Sequence, residues 1–236
     1  MAERSHLPGI VYIHVPKCGG SSFSAALRLR HLLSNARINL DQGNALLRGE
    51  ARIASDYRAR QEQLAALLKS GKRLITGHVH YNPELHDRYG YCHVTLLRDP
   101  VARFISHYRY LQRRHPDPAR PARLADFLDS TDAPRLARQY LLYFGQGQSG
   151  PGGRSAPSVA RALHNLSRFA LIGDLGAPRQ FHRALRRLSG GPLPYWHRNR
   201  APRSAAVAPE IRQRIAALCA EDLQIYNGLQ AARAVA

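Results

Sequence analysis

Eight residues, Val15–Ser22 (VPKCGGSS), bring one lysine, two glycines and two hydroxyls together between an apolar run and a helix-like one. A strand, a glycine turn and a helix leave backbone N–H groups unpaired at the helix N-terminus, where the helix dipole favours an anion. Gly19 and Gly20 would let the backbone approach that anion closely, Ser21 and Ser22 add hydroxyl donors, and Lys17 adds a compact charge. The spacing is neither G-x-x-x-x-G-K-[ST], where the lysine follows the glycines, nor G-x-G-x-x-G. A strand-to-helix turn with no ligand is the plain alternative. A second group of candidates lies at the end of the apolar run Val94–Leu97, which closes on Arg98 where a magnesium-binding site would need an acid. A guanidinium there suits an anion, or an ion pair with Asp99. A third is Gly77-His78-Val79-His80-Tyr81. Residues two apart in extended chain share a face, so His78 and His80 could both enter a cleft at a strand's C-terminal end. They could serve there as a general base near neutral pH, as structural hydrogen-bond partners, or, with no third ligand at a telling spacing, as a poor metal pair.

These groups need elements to hold them. Gly9–Val15 reads as a buried strand and Ser22–Leu33 as a helix. Asn35–Ala59 carries no clear period, and Gln61–Lys69 is helical. Arg73–Gly77 and Cys92–Arg98 are further buried strands. Pro100–Arg113 is a helix with Asp99 placed as its N-cap, and Arg120–Asp129 and Ala133–Leu142 are shorter helices. Gly145–Ser158 has loop composition, Arg168–Gly173 is a strand, and Pro178–Leu188 is a helix. Pro192–Pro209 is a proline- and arginine-rich loop, and Glu210–Tyr226 is a last amphipathic helix. Strands alternating with helices predict an α/β fold: a P-loop-like three-layer domain, with a mainly parallel central sheet flanked by helices, spanning 1–236 as one unit. His14 is expected to pack beneath the glycine loop, Arg103 to be structural or solvated, and His107 to sit on a helix surface.

PKCGGSS, Pro16–Ser22, resembles the 5′-phosphosulfate loop of sulfotransferases, and LLRDPVARFISHY, Leu96–Tyr108, resembles the second signature of their carbohydrate-type branch. The two stand in the family's order. The pattern is similar to that of heparan-sulfate and uronyl 2-O-sulfotransferases and their bacterial counterparts. The resemblance implies transfer of a sulfuryl group from 3′-phosphoadenosine 5′-phosphosulfate to an acceptor hydroxyl, with a saccharide as the expected acceptor. It implies Lys17 at the 5′-phosphate and the bridging oxygen, a cradle running from Pro16 through Cys18, Gly19, Gly20, Ser21 and Ser22, and Arg98 with Ser106 on the 3′-phosphate. One of His78 and His80 would be the base and the other would orient substrate or donor, with no metal. Asn199 and Arg200, in the loop before the last helix, are candidates for the 3′-phosphate side, and Trp196 could stack on adenine or anchor its loop. A kinase using ATP, or a basic polyanion-binding adaptor without enzymatic activity, would be the alternatives.

Composition limits the remaining classes. The formal charge is +19, yet only three of the 35 basic residues are lysines, and the arginines are spread along the chain rather than gathered in one tract. Such a field attracts phosphates, sulfates and acidic sugars, but it does not mark a dedicated nucleic-acid partner. Three widely spaced cysteines, Cys18, Cys92 and Cys219, fit a reducing compartment, and no apolar run is long enough to span a bilayer, so a cytoplasmic location is expected. Oligomeric state and acceptor identity are not legible at this level.

Overall fold

The computed structural model describes residues 8–40, 43–47, 49–147, 149–150, 153–154, 156–194 and 206–235. In chain order the elements are β1 (Ile10–Ile13), α1 (Gly20–Arg30), β2 (Asn35–Arg37), α2 (Gly49–Lys69), β3 (Leu74–Gly77), α3 (Pro83–Tyr89), β4 (Cys92–Leu97) and α4 (Pro100–Arg114). Next come α5 (Leu124–Phe127), α6 (Asp132–Ala137), α7 (Gln139–Phe144), the short hairpin β5 (Ser149–Gly150) and β6 (Gly153–Arg154), and α8 (Val159–Ser167). The chain closes with β7 (Leu171–Asp174), α9 (Pro178–Leu188), α10 (Pro209–Leu218) and α11 (Ala220–Val235).

Among the described residues, five strands pair in the order β2-β3-β1-β4-β7, every neighbouring pair parallel. The apolar, β-branched run of β1 is buried along its whole length because the central strand is covered on both faces. Alternation along the strands assigns the covers. Ile10, Tyr12, Leu74, Val94 and Leu96 pack with Phe23 and Leu27 of α1 and with Phe181 and Leu185 of α9. Val11, Ile13, Ile75 and Leu97 face the opposite way, onto Leu64 and Leu68 of α2, Tyr140, Leu141, Tyr143 and Phe144 of α7, Ala162 and Leu166 of α8 and Ile225 of α11. A third cluster joins α4 to α5, α6 and α10 through Phe104, Ile105, Tyr108, Phe127, Leu136 and Ile215. The three-layer α/β expectation stands.

Local signals explain several boundaries. The Asp99 side chain accepts from Ala102 N at 2.7 Å and Pro100 follows, so α4 starts where its cap predicts. The helix α3 was not anticipated, although its signals are present: Asn82 accepts from Leu85 N at 3.1 Å, Pro83 opens the helix, and Gly90 closes it at φ 64°. Other boundaries differ from the sequence reading. The segment without a clear period holds β2 and the first half of α2, which runs from Gly49 rather than from Gln61. The helix expected at 133–142 is two helices, α6 and α7, for a tertiary reason. The Arg103 guanidinium takes the carbonyls of Leu136 and Ala137 at the end of α6, and the Asp222 carboxylate accepts from Tyr140 N and Leu141 N, each at 2.9 Å, at the start of α7. Both new helix ends are thereby satisfied from elements distant in sequence. The final helix likewise divides at Cys219, buried against the start of α4.

Candidate functional site

Parallel strands carry their ligands at the carboxyl edge, beside the point where successive connections leave in opposite directions. Here α1 carries the chain from β1 to β2 on one side, whereas β4 leads through α4 toward β7 on the other, so the crevice opens between β1 and β4. The glycine loop leaves β1 at that edge and Arg98 ends β4 beside it. The two are in contact: Arg98 Nη1 donates to the Lys17 carbonyl at 3.4 Å.

The loop backbone is shaped to present N–H groups. Lys17 has φ 66°, the only non-glycine residue with positive φ among those described, and Gly19 has φ 74°. Left-handed residues within a short turn form the concavities that hold anions. At Gly20 a Cβ would lie 2.4 Å from the His14 ring and 2.7 Å from the Tyr12 hydroxyl, so only glycine lets the loop settle on those two rings. His14 thus packs beneath the loop as expected. The first turn of α1 has neither a side-chain cap nor an acidic residue, leaving its dipole uncompensated. Cys18 is buried, Gly19 and Ser21 are exposed, and Pro16, Lys17 and Ser22 are partly buried.

Charge around the loop has one sign. Lys17 Nζ lies 4.0 Å from the centre of the Tyr110 ring of α4. Burial lowers its pKa, and so do the charges of Arg113 and Arg98. Among the described residues no carboxylate pairs with Lys17, Arg98 or Arg113. Ser106, Tyr110 and Arg113 are spaced i, i+4, i+7 along α4, so the helix presents Ser106 on the face that meets Lys17. Sequence reasoning missed Tyr110 and Arg113; their helical spacing from Ser106 was the available signal.

A buried framework holds the two halves of this site together. Arg103 and Asp222 are both fully buried, with Nη2 and Oδ2 3.6 Å apart. Burial pushes the Asp222 carboxyl up to about 6, against the opposing pull of Arg103 and of the N–H groups that it caps. Arg103 is therefore structural. Tyr140, whose main chain Asp222 holds, turns its hydroxyl to the site. That hydroxyl accepts from Arg98 N at 2.9 Å, donates to the Arg98 carbonyl, and lies 3.5 Å from Cys18 Sγ. One phenol thus ties the end of β4 to the glycine loop.

The histidines separate on inspection. His78 follows β3 and stacks on His14 with ring centres 4.5 Å apart, its buried Nδ1 without a hydrogen-bond partner. Burial lowers its pKa to about 4, opposed by the backbone carbonyl of His14 and assisted by Arg60 and Arg37, so the ring is neutral at pH 7. His80 instead lies in an aromatic slot, stacked on Tyr57 at 3.9 Å and edge-on to Tyr143 at 5.3 Å. The two do not share one environment. His107, expected on the helix surface, is partly buried: its Nδ1 is enclosed without a partner, and burial lowers its pKa to about 3, with the charges of Arg103, Lys17, Arg135 and His78 adding to the shift. It faces inward because it stands one turn beyond the buried Arg103. Asn199, Arg200 and Trp196 lie outside the described residues. Among the described residues, no three His, Cys, Asp or Glu side chains converge as a metal site, and no helix is long and apolar enough to cross a membrane.

Residues 3–138 match the family described as Sulfotransferase family. No curated protein matches the chain in sequence. Among solved structures, a sulfotransferase from Alicyclobacillus acidocaldarius superposes with a TM-score of 0.54 at 14% identity, covering 94% of this chain and 96% of that one. A protein from Chloroflexus aurantiacus described as a candidate kinase gives 0.42 at 13% identity, covering 78% and 98%. Mouse sulfotransferase SULT7A1, complexed with PAP, gives 0.41 at 14% identity, covering 90% and 64%.

Proposed function

Because the chain belongs to the sulfotransferase family, we propose that it moves a sulfuryl group from 3′-phosphoadenosine 5′-phosphosulfate to an acceptor hydroxyl, with saccharides as the acceptor class and a histidine as base. The observation that carries this reading is the cluster of Lys17, Arg98 and Arg113 around a left-handed loop, with no carboxylate paired to any of the three among the described residues. Lys17 and Arg98 are partly buried, and cations so placed without a carboxylate are costly unless an anion completes them. The donor set fits the co-substrate, because glycine-lined N–H groups, a lysine and a forked guanidinium all favour phosphate and sulfate oxygens.

When bound, the co-substrate supplies a sulfuryl group activated by its anhydride link to phosphate. The chain's own groups divide the remaining work. The N–H groups from Cys18 to Ser22 and the hydroxyls of Ser21 and Ser22 bind the 5′-phosphosulfate, with Pro16 setting the entry to the loop. Lys17 places a point charge where negative charge grows on the leaving phosphate. Arg98 and Ser106 hold the 3′-phosphate, with Asn199 and Arg200 as further partners. His78, neutral at pH 7, accepts the acceptor hydroxyl's proton on a ring nitrogen, and His80, buried between Tyr57 and Tyr143, fixes the segment that carries His78. The negative charge of a bound donor raises the His78 pKa from its value of about 4 and so strengthens it as a base. The motif pattern of Leu96–Tyr108 and the +19 charge support an acidic saccharide as acceptor.

Thermal unfolding tests the reading, with adenosine 3′,5′-bisphosphate, ATP plus magnesium, and heparin as separate additions. At a hundredfold excess over its Kd a ligand adds about 2.7 kcal/mol; the bisphosphate is expected to do so and ATP with magnesium is not, while any stabilisation by heparin should survive Lys17→Ala and that by the bisphosphate should not. Lys17→Ala is expected to lower turnover by about a hundredfold or more with an unchanged melting curve. Equal stabilisation by ATP with magnesium, or undiminished sulfuryl transfer by Lys17→Ala, would overturn the proposal.

A further inference from the structure

We propose that the layer formed by α1 and α9 is a docking surface for an anionic lipid bilayer. Residues 4–40 and 175–209, which supply both helices and the turns after them, contain no aspartate or glutamate. The helices lie side by side on one sheet face. Phe23 meets Phe181 edge-on at 4.9 Å, and Arg30 Nη2 donates to the Gly190 carbonyl at 3.0 Å, joining the two C-terminal ends. The outer face of α9 exposes Arg179, Arg183, Arg186 and Arg187, and none of them meets a carboxylate among the described residues.

Arginines alone would suit any polyanion. The apolar residues beside them select a bilayer. Leu29 at the end of α1, and Leu32 and Leu33 in the turn that follows it, are 49%, 69% and 99% exposed. Single exposed leucines need no account, but three in five residues, next to an arginine-only face, make the pattern of an interfacial anchor: apolar side chains entering the acyl boundary, cations at the headgroups. A shallow depression of about 380 Å³, lined by Arg186, Arg187, Gly190, Gly191 and Pro192, lies at the same end. Both helices run antiparallel to the strands, so the leucines sit at the sheet edge opposite the glycine loop and Arg98. Docking through them leaves the crevice open to water.

Co-sedimentation of the full chain with vesicles of mixed phosphatidylglycerol and phosphatidylcholine, and of phosphatidylcholine alone, tests this, with heparin binding as the polyanion arm. The protein is expected to pellet with the anionic vesicles only. The double variant Leu32→Ser/Leu33→Ser should bind those vesicles about tenfold more weakly or worse, with heparin binding, melting temperature and binding of adenosine 3′,5′-bisphosphate unchanged. Removing Arg183, Arg186 and Arg187 as glutamines should cost about fivefold per charge on vesicles and also weaken heparin binding. No binding to anionic vesicles, or wild-type vesicle binding by the leucine variant, would overturn the proposal; the second result would mark the face as a general polyanion surface.

Discussion

Replacing Tyr140 by phenylalanine isolates a buried group that joins both halves of the crevice. The ring and its packing stay, including the Arg103 guanidinium 5.5 Å from the ring centre, and only the hydroxyl is lost. That hydroxyl serves Arg98 twice, accepting from its N–H and donating to its carbonyl, and it also touches Cys18 Sγ. Each polar group left without a partner costs about 1–3 kcal/mol when buried. Arg98 is only partly buried, so the two stranded groups together should cost about 2–3 kcal/mol, toward the lower end of that range. At 236 residues, 1 kcal/mol moves the melting temperature by about 2–4 °C, so calorimetry should record a drop of about 5–10 °C. Arg98 would also lose its fixed position against Lys17. Titration calorimetry with adenosine 3′,5′-bisphosphate should show about tenfold weaker binding, the equivalent of 1.4 kcal/mol. A melting temperature within about 2 °C of wild type, together with unchanged affinity, would refute the claim that this phenol holds the site together.

Acid should destabilise the fold between about pH 6.5 and 4. Unfolded imidazoles take up protons near pH 6.5, whereas native His78 resists to about 4 and His93 and His107 to about 3. Asp222, raised to about 6 in the native state, binds one proton the other way. Burial also holds His14 well below its usual value, so the net difference is about three protons and the slope about 4 kcal/mol per pH unit near pH 5; denaturant titrations showing flat stability there would contradict it. Asp222→Asn leaves the fully buried Arg103 charge unpaired, and is expected to cost about 3–5 kcal/mol by urea unfolding; a loss below 1 kcal/mol would show that the pair is not the framework described. Ser106→Ala should weaken bisphosphate binding about fivefold, the worth of about one hydrogen bond, with no change in melting temperature, and unaltered affinity would remove Ser106 from the site.

Several parts of this molecule could be read without a structure because their causes are local. The β-branched run of β1, the Asp99-Pro100 start of α4 and the glycine loop each follow from neighbouring residues whose propensities and caps act within one or two turns. The loop's anion preference is of the same kind, since glycines, hydroxyls and a lysine suffice to state it. Asn82, Pro83 and Gly90 carried an equally local signal for α3 that the sequence reading passed over.

Tertiary structure decided what depends on distant partners. Whether a helix from 133 to 142 breaks at Arg138 depends on Arg103, 33 and 34 residues from the carbonyls it takes, and on Asp222, 82 and 81 residues from the N–H groups it caps, and no local pattern encodes where two such buried charges meet. The inward turn of His107, the division of His78 and His80 between a histidine stack and an aromatic slot, and the reach of the Tyr140 hydroxyl to both Arg98 and Cys18 have the same origin. Sequence alone determined which residues could hold an anion at the head of α1. Only packing determined which side chains converge on that anion, because burial and hydrogen-bond satisfaction are properties of the assembled layers rather than of any segment.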